Sequence, residues 1–363
     1  MNYCPDSNLL IEALACLGRF ANGHTWERME EQLSRRSITP TELFTQSLEK
    51  LKALTDRLDP LGILKDAGTV DDFRNLEGFP RNTVGTGSPA FLVFYGLLEH
   101  WRGDFQALEE AVQAMTPEQT AYHLALAMNL ADDHPQGVIP VQTFLDMILA
   151  QSLPDRSKIT VLSIFRDLPG CFRRLAPPVK RMLRLLSLEQ VRLDFLSNIL
   201  SEKIRSEGCG AYLARTSSLV PSQGSRYRLR PFLFGMDTNL SSPMEDGVSC
   251  IYCGILRDEM LEMLSGQASN RDQVYEALKL LGDRTRFDMV CHLRDHEAYG
   301  QELSARFGIS RNTVHHHMSK LSAAGLVRCT ASGSRVYYTL DREMIQRLLR
   351  LQRELFCADG SVL

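Results

Sequence analysis

Apolar residues recur every three or four positions through most of the first two hundred residues of this chain. Between Ser7 and Phe20, Leu9, Leu10, Ala13, Leu14 and Leu17 fall on one face, the spacing of a helix with one buried side. From Pro40 to Leu58 a second stripe holds Leu43, Phe44, Leu48, Leu51 and Leu54, with proline at a tolerated helix start. The same spacing predicts helices near 89–101, 104–114, 117–131, 140–150, 155–168, 178–186 and 188–206. Pro117, Pro140, Pro154 and Pro177 stand at their expected starts, and Gly208 and Gly210 close the last one.

The pattern changes after about residue 210. Tyr227, Leu229, Phe232 and Phe234 pick out a strand over Arg226 to Phe234, and Val248 to Leu256 is a short β-like run. The Gly/Asn/Ser/Pro-rich stretch around 235–247 reads as the loop between them. A further helix begins at Met260. Ser265 to Asn270 has the composition of a linker, so a domain of residues 1–265 is expected before one of 271–356. The fold class that follows is mainly α: a multi-helix N-terminal domain with a small β element, then an α+β domain.

Length agrees with this division, because 363 residues exceed what one ordinary core covers. The longest apolar candidate, Ser88 to Leu98, is about half of what a bilayer span needs, so a buried core helix is expected and no membrane partner. Asp6 and Glu12 interrupt the first apolar stretch and no basic segment precedes it, the pattern of a cytoplasmic chain without a signal peptide. The nine cysteines are scattered and odd in number, which fits reduced, mostly buried thiols.

Charge is distributed unevenly. Residues 1–270 carry 27 basic and 33 acidic side chains, whereas 271–340 carry ten basic and seven acidic. No Asp or Glu occurs from Leu303 through Leu340, where the chain average of 44 in 363 would place four or five. The same stretch holds Arg306, Arg311, Lys320, Arg328 and Arg335. A surface facing phosphates needs such an absence of acids, since each would repel the polyanion.

The patterning of that region is specific. Val274, Ala277, Leu278 and Leu281 form one helical face ended by Gly282. Asp283 is placed to cap a helix containing Phe287, Val290 and Leu293. Gln301 to Phe307 reads as a short helix with Leu303 and Phe307 buried. Gly308 turns the chain and Ser310 caps the next helix, which is helix-turn-helix spacing. On that second helix Val314, Met318 and Leu321 lie within about 60° of each other and point inward. The opposite side presents Asn312, Thr313, His316, Ser319 and Lys320, with Arg311 and His315 flanking the entry. Asn, Arg and Lys reach base edges, and Ser, Thr and Lys reach phosphate. Leu326 to Cys329, a turn at Ala331, Ser332, Gly333 and Ser334, and Arg335 to Leu340 make a hairpin with Arg335 near its tip, a wing suited to the backbone or minor groove. The expected DNA contacts are therefore Ser310 to Thr313, His315, His316, Ser319, Lys320 and Ser332 to Arg335. The alternative is a helix-turn-helix used for protein or RNA contacts.

These residues resemble the ArsR family of winged-helix regulators. The matching stretches are Leu281 to Phe287, Glu302 to Ser304, Ser310 to Met318, Leu321 to Val327 and Gly333 to Tyr338, under a quarter of the chain. The resemblance implies a homodimer joined through the first and last helices of the domain. On the first these are Val274, Leu278 and Leu281; on the last, Met344, Ile345, Leu348, Leu349 and Leu355, which with Phe356 also form a broad apolar stripe by themselves. It implies double-stranded DNA with inverted half-sites as partner. Many such regulators hold metals through thiolates on the helix before the recognition helix, but Tyr299 to Glu302 contain no cysteine. Asp341 and Glu343 on the last helix are followed by no histidine, so the family's usual metal sites are absent.

Other candidate sites fare less well. Cys250 and Cys253 have Cys-x-x-Cys spacing without a second pair, and on a strand they point to opposite faces. His315, His316 and His317 point in three directions on a helix and cannot chelate together. Val84 to Ser88 holds a lone glycine pair with no preceding strand, weak support for nucleotide binding. No nucleophile–base, paired-carboxylate or phosphate-loop pattern appears. The expectation is a non-enzymatic transcription regulator, a repressor, without cofactor or metal. Its N-terminal domain would bind an unknown small effector, supply dimer contacts, or both. Two alternatives remain for that domain, a protein-interaction platform or an enzyme tethered to promoters. An aromatic-lined cavity would favour the effector, and an exposed apolar patch the platform.

Overall fold

A computed structural model describes residues 2–35, 38–79, 84–131, 137–216, 219–221, 226–242, 248–267, 270–332 and 335–357. The residues cluster in two units, one of 1–209 with 226–260, the other of 210–225 with 261–363. The fold is mainly α with two small sheets.

The first unit is built on buried helices. Leu9–Ala21 starts at Asn8, whose side chain accepts the Leu10 N–H as an N-cap should. It packs on Pro60–Asp66 and on the 21-residue helix Leu168–Leu188. The latter corrects the expected start at Pro177: Pro177 and Pro178 lie inside the helix. A proline there removes a hydrogen bond and crowds the carbonyl four residues back. Those carbonyls belong to Arg173 and Arg174, both exposed residues. Phe172, Leu175, Val179, Met182 and Leu186 are completely buried, and their burial outweighs the local cost. Trp26–Arg35 and Pro60–Asp66 are helices the pattern did not predict, and so is Cys209–Thr216, whose residues from Gly210 on belong to the second unit. Cys209–Thr216 directly follows Gly208, so Gly210 opens a helix and closes none. The expected 89–101 helix is α-helical over Pro89–Phe94 and 3₁₀ over Tyr95–His100.

The sheet of this unit has four strands in the order Asn2–Tyr3, Arg226–Phe232, Val248–Gly254, Asn239–Ser241. The two strands expected from alternation are neighbours and run parallel, with Leu229 opposite Ile251. The stretch between them, expected as loop, contributes the antiparallel edge strand Asn239–Ser241. Two buried polar side chains fasten the first helix to the end of the second strand. The Glu12 carboxylate accepts the backbone N–H groups of Leu233 at 2.9 Å and Phe234 at 3.0 Å. Burial pushes its pKa up to about 8 despite those bonds. Arg19 donates to Phe234 O at 3.0 Å and to Asp237 at 3.1 Å, with Trp26 4.4 Å beneath it.

Two sites set aside on sequence find structural roles here. The glycines near Val84 permit close packing: a Cβ on Gly18 would stand 2.5 Å from Val84 O. Gly85, at φ 78°, brings its loop against the same helix. Cys250 and Cys253 are buried on the central strand, opposite Arg228 and Pro231, and burial drives the Cys253 thiol far up. Among the described residues no group of three or more His, Cys, Asp or Glu is placed to hold a metal ion. No described helix is long and apolar enough to cross a membrane.

In the second unit, the expected linker is helical through Gln267, the end of Arg257–Gln267, and again from Asn270, the start of Asn270–Leu281. Arg284–Leu293, Gly300–Phe307 and Arg311–Ala323 follow, then the hairpin Val327–Ser332 with Arg335–Leu340, and last Arg342–Phe356. Ala298–Tyr299 adds an antiparallel edge to the hairpin, and Leu219–Pro221 pairs in parallel with its other side. That last strand comes from far upstream and had no expected place in this domain.

Candidate nucleic-acid interface

The interface is built on a core that fixes one helix by its inner face. Met289, Leu303, Val314, Met318, Leu321 and Leu326 are all completely buried there. Asp283 begins the Arg284–Leu293 helix by accepting the Arg286 N–H at 2.9 Å, a bond that holds its carboxyl below the usual range. Within that helix Met289 and Leu293 are the buried residues, whereas Phe287, expected inside, is exposed. Phe307 is half-buried rather than buried.

The turn between the two helices of the motif is closed from both sides. Gly308 ends Gly300–Phe307 in the left-handed region at φ 64°, which glycine enters without penalty. Ser304 then holds Ile309: its carbonyl accepts the Ile309 N–H at 3.3 Å and its hydroxyl donates to Ile309 O at 2.6 Å. Ser310 caps the recognition helix Arg311–Ala323, accepting the Thr313 N–H at 3.1 Å. Its hydroxyl also pairs with that of Thr313 at 2.8 Å. The two hydroxyls expected at DNA are thus already engaged with each other, and their first task is to start the helix.

Val314, Met318 and Leu321 point inward, so the opposite face of the helix is left to solvent. His315, His316, Ser319 and Lys320 are exposed, and Arg311 and Thr313 half-buried. The Asn312 side chain lies outside the described residues. His317 faces inward enough for its Nδ1 to be buried without a hydrogen-bond partner. Partial burial, then the Lys320 and Arg286 cations, hold His316 below the ordinary histidine pKa, so the ring is neutral near pH 7.

Gly325, at φ 72°, ends the recognition helix and turns the chain into the wing. The wing strands pair from Val327 opposite Leu340 to Ser332 opposite Arg335. Ala331 and Ser332, expected in the turn, are therefore strand residues. Gly333 and Ser334 lie outside the described residues, as do the side chains of Ser332 and Arg335. Tyr338 is buried beneath the hairpin, and Tyr299 on the edge strand meets Tyr337 with ring centres 5.6 Å apart. One cation of the acid-free stretch is not available: Arg328 is held by Asp341 at 2.6 Å and by Glu343 at 3.1 Å. Sequence counting missed this because both acids lie just beyond the stretch, across the hairpin.

The residues expected at a dimer seam divide. Leu348 is buried in the domain's own core, Val274 is buried as well, and Leu281, Met344 and Ile345 are half-buried against that core. Leu278 is 43% exposed, Leu349 60% and Leu355 40%, joined by Tyr275 and Phe356. Asn270–Leu281 and Arg342–Phe356 pack side by side. The broad stripe on the last helix therefore serves two purposes, its inner half the core and its outer half an uncovered surface.

Residues 281–330 match the family model described as "Helix-turn-helix domain". The chain is similar to the transcriptional activator HlyU of Vibrio cholerae, 28% identical over 94 residues, covering 26% of this chain and 87% of that protein. It is 33% identical over 76 residues to the HTH-type transcriptional regulator KmtR of Mycobacterium tuberculosis, 21% of this chain and 58% of that one. To the HTH-type transcriptional regulator CmtR of Mycobacterium bovis it is 35% identical over 71 residues, 20% of this chain and 60% of that one. These matches leave the N-terminal unit uncovered. With the two helices, the capped turn and the paired wing, they show that the C-terminal domain is a winged helix-turn-helix of the ArsR type.

Proposed function

We propose that this chain is a sequence-specific, DNA-binding transcription regulator that acts as a homodimer on inverted half-sites. One observation carries the reading. Val314, Met318 and Leu321 have no exposure, so the recognition helix is held by its inner face while His315, His316, Ser319 and Lys320 stand outward. They stand in a 38-residue stretch without a single acid. A helix presented in this way enters the major groove, and the wing beside it leans on the backbone. Asn312 and Arg311 at its N-terminal end take the base edges, and Ser319, Lys320 and Arg335 the phosphates. Exposed Leu278, Leu349 and Leu355 form the two-fold seam, which a palindromic operator mirrors. Repression is the simplest output, because occupancy of the promoter suffices.

The N-terminal unit has the regulatory role in this reading, through a small effector or further dimer contacts, and no catalysis is assigned to it. A specific observation favours a second reading, that of a protein-interaction platform. Leu188, at the end of one helix, and Val191 and Phe195, one turn apart on the next, are 73, 84 and 53% exposed. DNA binding is tested by fluorescence anisotropy of the full chain on mixed genomic duplexes between 50 and 200 mM salt, given as about the usual range over which phosphate contacts are read. Affinity is expected to fall steeply, and binding unchanged by salt overturns the proposal.

A further inference from the structure

Leu188 is the last residue of its helix, and Val191 and Phe195 lie one turn apart on the next, Gln190–Glu207. Val191 and Phe195 are about 6 Å apart along their axis at 1.5 Å per residue. Beside them runs the helix Glu42–Leu58. Its Lys50 ammonium lies 3.9 Å from the centre of the Phe195 ring, and its Arg57 donates to Glu189 at 2.6 Å. Lys50 therefore stands at the far end of the stripe and Arg57 at the near end, so the two helices run antiparallel. Exposed Ala53, a small residue, sits midway. At the Arg57 end, where Glu42–Leu58 and Leu168–Leu188 finish, opens a cleft of about 400 Å³ lined by Leu58, Leu185, Leu188, Arg57 and Glu189. The cleft at this end and the exposed Val191 and Phe195 beyond it together offer an apolar surface for an amphipathic helix, whose anchors recur at i, i+3 or i+4, and i+7.

The rim is basic. Lys50, Arg57, Arg184 and Arg192 are exposed around the groove, against buried Glu189, which accepts from both Arg57 and Arg192, and Asp194, which accepts from Gln190. Glu202 lies on the same stripe two turns beyond Phe195 and marks its end. Glu49 and Asp56 point about 100° away from the line of Lys50 and Arg57. This cationic rim sits on a region with an excess of acids, 33 against 27.

The occupant follows from area and charge. The three side chains expose on the order of 300–400 Å² of apolar surface, a size that is often functional on a monomer. A stable dimer needs roughly 800 Å² from each partner. A two-fold contact through this groove would also set the same four cations against their own copies. We propose that the groove docks an acidic amphipathic helix of a partner protein. Its apolar residues pack over Leu188, Val191 and Phe195, and its carboxylates meet Lys50 and Arg184, Arg57 and Arg192 being already paired with Glu189. This inference rests on the interaction-platform reading and is independent of DNA binding, which duplex assays read separately.

The test places the photo-crosslinker p-benzoylphenylalanine at Val191 of the full chain in cells that express it natively, and sequences the crosslinked peptides by mass spectrometry. The same probe at Leu149, exposed elsewhere on the unit, is the control. The expected result is one dominant partner segment with apolar residues at helical spacing and net negative charge. Its yield should fall at least about tenfold with Lys50→Glu and Arg184→Glu, in a protein whose melting temperature is unchanged, consistent with the loss of two rim charges. A synthetic peptide of that segment should bind the purified chain and lose affinity similarly with Val191→Ser and Phe195→Ser. Crosslinks to this chain itself, to lipid or to a basic segment overturn the proposal, as does a yield no higher than at Leu149.

Discussion

Leu348 and Leu349 are neighbours in sequence with opposite roles in this account. Leu348 is 6% exposed and packs in the domain core, whereas Leu349 is 60% exposed on the other side of the same helix. Leu348→Ala removes buried methyl groups and leaves a cavity, which costs about 2–5 kcal/mol of domain stability. Leu349→Glu touches nothing in the core, so the change in stability of the monomer should stay within about 0.5 kcal/mol. At a two-fold seam the same change counts twice. Burying the exposed part of a leucine stabilises by about 1–2 kcal/mol per protomer, so its loss weakens the dimer by about 2–4 kcal/mol, roughly 100-fold. Burying two carboxylates adds to that. Sedimentation velocity of the full chain gives the oligomeric state, thermal unfolding the stability, and anisotropy the operator affinity. Leu349→Glu should yield folded monomer with weakened DNA binding, and Leu348→Ala a lower melting temperature. If Leu349→Glu remains dimeric with full operator affinity, the seam is elsewhere.

Three further outcomes are expected. Lys320→Ala should weaken all duplexes alike and flatten the salt dependence by about one phosphate contact, while Asn312→Ala should cost about 1–3 kcal/mol on the preferred sequence only; anisotropy on specific and scrambled duplexes distinguishes them. His316 titrates below 6.5 in the free protein, and nearby phosphates raise its pKa, so binding takes up a proton. Affinity should therefore rise as pH falls through and below 6.5 at constant ionic strength, and His316→Gln should remove that rise. Glu12 is raised from 4.5 to about 8 in the fold, so the native state holds the proton more tightly and loses stability as pH rises between those values. Glu12→Gln cannot ionise and should show a shallower decline toward pH 8; parallel melting curves for the two proteins contradict this.

Much of the C-terminal domain was legible because its signals are local. The caps Asp283 and Ser310, the glycines Gly308 and Gly325, and the inward triplet Val314, Met318 and Leu321 each act within a turn of their own position. What was illegible depends on distant pairing. Leu219–Pro221 joins the wing sheet from a hundred residues upstream, and Arg328 is neutralised across the hairpin by Asp341 and Glu343. Periodicity also cannot say how wide a stripe its own domain covers, so Leu348 and Leu349 read alike. In the N-terminal unit the helix Trp26–Arg35 carried a faint stripe, Trp26, Met29 and Leu33, among seven polar residues of ten. The double proline at 177–178 pointed to a helix start because local cost is visible in a sequence and the packing that outweighs it is not.

The central claim is sequence-specific DNA recognition by a pair of recognition helices. Its most direct test is selection of bound fragments from a random duplex library by the full chain, followed by sequencing. The account predicts one enriched motif with two inverted half-sites centred about one helical turn, 34–36 Å, or a multiple of it apart, lost when Asn312 and Lys320 are replaced by alanine. A library that emerges unenriched, or a single half-site enriched without its inverted mate, would contradict it.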